Sequence, residues 1–206
     1  MARLKRAEQV ARNRDLLLEA ARRVFLARGY AGASLDAIAD EAGFSVGVVY
    51  SQFGSKADLF FALLERRIET RALQNDRIAK EFGGADGLRE LLRAGREDAA
   101  TAPGWQHLLA EFRAIALRDA SLSRRYSKAH ARTVDGIASA LEKIYEPIGL
   151  TPPVPIRSLA EFLQAGTVGV ALERAANPDA LPDHDAEHLM LRALGLLDTA
   201  ATEERQ

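Results

Sequence analysis

The residues with chemistry to offer fall in two short stretches. The first, SLDAIADEAGFSVGVVYSQFGSK, runs from Ser34 to Lys56 and alternates helix-opening serines with helix-closing glycines. Ser34 is a good N-cap before Leu35, Ile38 and Ala42, which share one helical face. Gly43 supplies the C′ position, where a left-handed backbone costs little. Phe44 is expected as a buried anchor at the turn, and Ser45 caps a second short helix whose inward side is Val49 and Phe53. Val46, Gly47, Val48, Tyr50, Ser51 and Gln52 are left largely outward. A face of small residues, one tyrosine and one amide, with no acidic group, can approach a polyanion without repelling it. Gly54 ends this helix and Ser55 caps the next, with Lys56 in its first turn. A cation there opposes the helix macrodipole, and a bound phosphate reverses that sign.

The second stretch is His184-Asp185-Ala186-Glu187-His188, an H-x-x-E-H string with both histidines on one helical face. A zinc hydrolase also needs a third protein ligand from a further element, and only eighteen residues follow His188. The competing reading makes Asp183 or Asp185 a helix cap and the histidines solvated first-turn residues. No Ser-His-Asp or paired-carboxylate arrangement stands out. The glycines of GGADG at 83–87 follow neither G-x-G-x-x-G nor P-loop spacing, and no strand precedes them. The expectation is no enzyme, no catalytic residue, no metal and no cofactor, with a zinc hydrolase using His184, Glu187 and His188 as the alternative.

These stretches sit in an ordinary globular background: 206 residues, 48% hydrophobic and 28% charged, enough chain to bury a core in one or two domains. The lack of cysteine excludes disulfide frameworks, thiolate metal sites and cysteine nucleophiles. No run approaches 18 apolar residues and MARLKRAEQVARNR lacks the apolar core of a signal peptide, so no membrane partner and a cytoplasmic location are expected. Charge is unevenly placed. Residues 1–28 hold eight basic residues (Arg3, Lys5, Arg6, Arg12, Arg14, Arg22, Arg23, Arg28) against three acidic ones (Glu8, Asp15, Glu19). That local +5 leaves −6 for the rest of a chain whose total is −1. A basic arm before two short helices is a footprint that phosphates attract.

Taken in order, the chain reads as all-α, with about nine helices. Residues 1–9 are expected to be mobile, and a first helix spans Val10 to Arg28 with Leu17, Ala20, Ala21, Val24 and Phe25 on one stripe. Gly29 stops it. From Ser55 a long helix runs towards Phe82, GGADG forms a connector, and Asp86 caps a helix ended at Pro103 and Gly104. A helix over 103–119 carries Trp105, Leu108, Leu109, Phe112, Ile115 and Ala116, and Ser121 caps the next, which reaches Glu146. TPPVP at 151–155 must be extended. The following helix, Ile156 to Ala176, holds Gly166 and Gly169 in its interior, a cost of about 1 kcal/mol each relative to alanine that a close helix contact would offset. A last helix covers Asp185 to Ala200.

Gly29, Ser34, Ile38, Ala39, Ala42, Gly43, Ser45, Gly47, Tyr50, Phe53, Ser55, Lys56 and Leu59 together resemble the DNA-binding domain of the TetR (tetracycline repressor) family of bacterial regulators. The rest of the chain is similar to that family only in length and helical layout. The resemblance implies a three-helix helix-turn-helix domain over residues 1–54 and a helical effector-binding and dimerisation domain over 55–206. It implies that Ser34, Ser45, Tyr50 and Lys56 hold phosphates while Val46, Gly47, Val48, Ser51 and Gln52 face base edges of double-stranded DNA. Two valines stand where polar or basic residues are common in the family, which shifts specificity towards thymine methyl contacts, backbone contacts and DNA shape.

The same resemblance implies a cavity for a small, largely apolar effector, with Trp105, His107, Phe112, Arg113, Tyr126, His130, Phe162, Gln164 and Thr167 as candidate lining. It also implies a homodimer through the last two helices, with Gly166, Gly169, Val170, Leu189, Met190, Ala193, Leu194 and Leu197 at the interface. The expected function is a repressor released from a near-palindromic operator by its ligand. A helix-turn-helix regulator without a small-molecule ligand is the other reading kept open.

Overall fold

A computed structural model of the chain describes residues 2–101, 104–149 and 151–195. The described residues form nine α-helices and no strand: α1 (Ala2–Gly32), α2 (Leu35–Ala42), α3 (Val46–Phe53), α4 (Lys56–Glu81), α5 (Gly84–Thr101), α6 (Trp105–Ala116), α7 (Ala120–Tyr145), α8 (Ile156–Ala176) and α9 (Asp183–Ala193). A 3-10 turn over Glu146–Ile148 follows α7. None of the described helices is long and apolar enough to cross a membrane.

The first helix starts at Ala2 rather than Val10, so the expected mobile segment is helical. Residues 2–9 contain no glycine or proline and consist largely of good helix formers. An i,i+4 bond from Gln9 Nε2 to Asn13 Oδ1 (2.8 Å) adds local support. Gly29 breaks the helical geometry as expected, with φ 71° and ψ 175°. The helix then resumes for one short turn.

The chain packs as two compact units, 1–67 with 107–127 and 68–106 with 128–206; α4, α6 and α7 contribute residues to both. In the first unit, Leu17, Ala20, Ala21, Val24 and Phe25 of α1 meet Ile38 of α2, Val49 of α3, and Leu59, Phe60 and Leu63 of α4 in a closed core. Aromatic rings bind its centre. Phe60 stacks on Phe112 at 4.2 Å between centroids, and Tyr30 meets the edges of both at 5.2 and 4.8 Å. Such pairs add a directional preference to simple burial.

The second unit has its own core of Leu88, Val134, Leu141, Leu159, Leu163, Leu191 and Leu194, drawn from α5, α7, α8 and the end of α9. The Tyr145 hydroxyl donates to the Leu194 carbonyl. Arg89 and Arg96 of α5 pair with Glu187 of α9, fixing those helices together. Gly136 lets α7 approach α4 closely: a Cβ there would lie 3.3 Å from that of Ala72.

Several boundaries differ from expectation. The connector after α4 is two residues, 82–83, because GADG already forms the first turn of α5. The helix α7 is capped by Asp119, not Ser121: Asp119 Oδ1 accepts from the Ser121 and Leu122 amides at 2.8 and 3.0 Å. Ser121 sits too late, already inside the first turn. Phe44 is half-buried and not a fully enclosed anchor. The last helix runs Asp183–Ala193, where Gly195 (φ 66°) follows; residues 196–200, including Leu197, lie outside the described residues.

Candidate nucleic-acid interface

Ser34 Oγ accepts the Ala37 amide (3.1 Å), starting α2, and Gly43 ends it at φ 72°, ψ 29°. The Phe44 amide reaches back to the Ala39 carbonyl (2.9 Å), which closes the turn before α3. Val49 (0% exposed) and Phe53 (8%) face inward. The opposite side of α3 is outward: Tyr50 is 55% exposed, Gly47 and Ser51 are exposed, and Val46, Val48 and Gln52 are half-exposed. Seven of the nine proposed contact residues therefore lie on α3 and its cap, and only Ser34 and Lys56 lie off it.

Two features of α3 bear on what it can meet. Ser45 occupies the N-cap position with extended backbone (φ −74°, ψ 149°) yet makes no side-chain cap bond, and no acidic residue lies in the first turn. Its hydroxyl therefore caps none of the first amides, which lie at the positive end of the helix. A Cβ at Gly47 would meet only Ser45 Oγ at 3.8 Å, an ordinary contact. The fold itself therefore has room for a side chain at Gly47, although glycine in a helix costs about 1 kcal/mol relative to alanine.

Arg14 fixes the other end of α3: its guanidinium donates to the Gln52 carbonyl (3.3 Å) and lies 4.4 Å from the Phe53 ring centre. A cation at a helix C-terminus is favourable, and stacking adds to it. Sequence reasoning placed Arg14 only in a diffuse basic arm. The next helix opens with a reciprocal cap, in which Ser55 Oγ accepts the Asp58 amide (3.1 Å) and donates to the Asp58 carboxylate. That hydrogen bond, helped by Arg125 at 2.8 Å, holds the Asp58 carboxyl below the usual carboxylate range.

Lys56 is engaged differently from a bare surface lysine. Its ammonium donates to the carbonyls of Tyr30 (2.8 Å), Ala33 (2.9 Å) and Ala31 (3.4 Å) and sits 4.6 Å from the Tyr30 ring centre. Burial pushes its pKa down, partly offset by the Glu111 carboxylate. Glu111 of α6 lies on the other side of the same turn and accepts the Tyr30 and Ala31 amides at 2.9 and 2.8 Å. Neither partnership was visible from spacing, since 25 and 80 residues separate Ala31 from the two side chains.

Of the expected effector residues, His107, Phe112, Arg113 and Tyr126 belong to the first unit and Trp105, His130, Phe162, Gln164 and Thr167 to the second. Phe112, Arg113 and Tyr126 come together in the first unit, with Arg113 Nε donating to Tyr126 Oη at 2.5 Å, but Phe112 is fully enclosed by the aromatic core. Trp105 is buried, His130 and Gln164 are half-buried and His107 is exposed. Thr167 is exposed and donates to the Leu163 carbonyl (2.9 Å), and Phe162 is 51% exposed. Sequence reasoning passed over Asn75 (8% exposed) and Gln106. Asn75 Oδ1 and Gln106 Oε1 are buried and find no donor among the described residues. A polar residue on the inward stripe of α4, after Ile68 and before Ala79, was the available signal.

In the H-x-x-E-H string, His184 and His188 stack at 6.3 Å, and Glu187 is committed to Arg89 and Arg96. Among the described residues no three His, Asp or Glu side chains are grouped to hold a metal.

An all-helical chain with this turn and this outward helix is a helix-turn-helix regulator in class. The profile described as "Bacterial regulatory proteins, tetR family" matches residues 17–63, and that of the "BetI-type transcriptional repressor, C-terminal" matches 84–198. The chain belongs to the TetR family of DNA-binding transcriptional regulators. The transcriptional activator FasR of Mycolicibacterium smegmatis is 48% identical over 56 residues, 27% of this chain and 26% of that protein. TtgR of Pseudomonas putida is 41% identical over 84 residues, 41% of this chain and 38% of its own length. The chain thus spans well under half of these curated relatives. Among solved structures, a TetR regulator from Haloarcula marismortui matches with TM-score 0.70 at 18% identity, covering 90% of this chain and 97% of that one. FadR of Bacillus subtilis matches with TM-score 0.64 at 18% identity, covering 88% and 95%.

Proposed function

We propose that this chain is a ligand-released repressor that binds a near-palindromic operator as a homodimer in the cytoplasm, reading each half-site with α3. The observation that carries the reading is the bare outer face of α3, where Gly47 is left without a side chain although the protein has space for one. Close approach of the DNA groove to α3 accounts for that choice, and the uncapped N-terminus offers a place for a phosphate. Gln52 can pair with adenine N6 and N7, and Val46 or Val48 can touch a thymine methyl. Ser34, Ser45 and Tyr50 hold phosphates, while Lys56, expected from the family pattern to do the same, gives its three N–H groups to the Tyr30, Ala31 and Ala33 carbonyls and acts by tying down the turn behind them and by its positive charge.

Dimer formation is supported by an apolar stripe that this chain leaves open. Phe162 and Leu172 of α8 and Leu189 of α9 are exposed, and nothing lies within 4 Å of a Cβ at Gly169. Gly166, by contrast, is used within the chain, where a Cβ would be 3.2 Å from Met190 Cε. Phe162 therefore suits the subunit interface better than the effector cavity. For the effector, the buried acceptors of Asn75 and Gln106 call for a ligand with a hydrogen-bond donor on a largely apolar body. The stearoyl-CoA complex of the fold relative FadR is in keeping with an apolar effector.

A mobility shift on duplex DNA from the region upstream of its own gene tests the reading. Wild type retards the duplex, and the pair Tyr50→Ala with Lys56→Ala lowers affinity by at least about tenfold, through loss of a phosphate contact at Tyr50 and of the charge and turn anchorage at Lys56. Unchanged binding by the double variant would show that these residues are not the contacts.

A further inference from the structure

We infer that Glu111 is a positioning residue for DNA reading: through the Tyr30 and Ala31 amides, α6 holds the turn that launches the helix-turn-helix. The turn between α1 and α2 is gripped from both sides. Its amides face a carboxylate, at 2.9 Å for Tyr30 and 2.8 Å for Ala31. Its carbonyls face an ammonium, with Tyr30, Ala31 and Ala33 all accepting from Lys56. Anion on the N–H side and cation on the C=O side is the arrangement that peptide dipoles favour, and bonds to charged groups are the strong ones.

Gly29 shows how tightly the turn is built around Glu111. Its φ of 71° with ψ of 175° is open to glycine and strained for other residues. A Cβ there would lie 2.5 Å from Glu111 Oε2, so the carboxylate occupies the space a side chain would take. Three residues after Ala31, Ser34 caps α2, and α2 leads through Gly43 into α3. A shift of α6 at Glu111 therefore acts on the start of the reading head rather than on α3 itself. The positioning role rests on the proposed DNA-binding function.

The experiment compares full-length wild type, Glu111→Ala and Glu111→Gln by amide hydrogen exchange and by affinity for the upstream duplex, well below each thermal midpoint. In Glu111→Ala the Tyr30 and Ala31 amides exchange at least about tenfold faster, and the folded protein binds the duplex at least about tenfold more weakly, the scale of losing charge-assisted bonds. Glu111→Gln, which keeps one uncharged acceptor, falls between. Unchanged exchange at both amides in Glu111→Ala overturns the grip. Faster exchange with DNA affinity unchanged overturns the positioning role and leaves Glu111 a purely structural tie. If wild type binds no duplex, the regulator reading fails and the positioning role with it, whereas protected amides in that same protein show that the grip itself is real.

Discussion

Gly47 separates what the fold needs from what function needs more cleanly than any other residue. A methyl group there meets only the Ser45 hydroxyl at an ordinary contact distance and improves helix propensity, so Gly47→Ala should raise stability by about 1 kcal/mol. On the proposed reading the same methyl would stand between α3 and the DNA groove, so operator affinity should fall. Urea unfolding and a mobility shift on one preparation check both signs; a variant that is stabilised and binds equally well would remove the argument from close approach. Lys56 carries a different lesson. Its odd placement at a helix N-terminus was legible from sequence, but its partners were not, because three backbone carbonyls from a distant turn hold it. Phe112 likewise reads as an aromatic on an effector-domain helix, whereas it closes an aromatic core with Tyr30 and Phe60.

At the scale of helices, periodicity and punctuation located nearly everything. Leu35, Ile38 and Val49 are buried as their spacing implies, and α8 occupies Ile156–Ala176 as read. The failures arose where two good signals competed within a few residues, as with Asp119 and Ser121, or where no signal stops a helix, as before Val10. The α4–α7 pairing adds a pH-sensitive contact. Asp76 accepts from Lys143 and from Lys80 (2.8 Å), and these bonds hold its carboxyl down from 3.8 to about 2. A pKa depressed in the folded state means stability that is present above pH 3.8 and lost as pH falls through about 2. Asp76→Asn should therefore be less stable at neutral pH and should flatten the acid loss over that window, as followed by thermal midpoints against pH. An unaltered acid profile would mean that the pair is too exposed to matter.

For the molecule as a whole, charge is divided between a basic N-terminal stretch and an acidic remainder, and the family profiles match residues 17–63 and 84–198. What sequence could not supply was which apolar residues remain uncovered, since burial within one chain and burial between two chains have the same periodicity. Among the described residues of α8 and α9, Phe162, Leu172 and Leu189 are the large apolar side chains left exposed. Sedimentation equilibrium at micromolar concentration should give a dimer for wild type and a shift towards monomer for Leu172→Glu, because a charge buried at an apolar interface lacks a partner. A wild-type monomer excludes the dimer.

Symmetry then makes the sharpest demand. Two reading heads related by a two-fold axis engage half-sites about 34–36 Å apart, one turn of duplex. The measurement that tests this most directly is a footprint of the full-length protein on the DNA upstream of its own gene. Two protected half-sites in inverted repeat at that spacing, lost together with Tyr50→Ala and Lys56→Ala, are the predicted result. No protection, or protection without inverted symmetry that survives the double variant, would contradict the assignment of α3 as the reading element of a symmetric dimer.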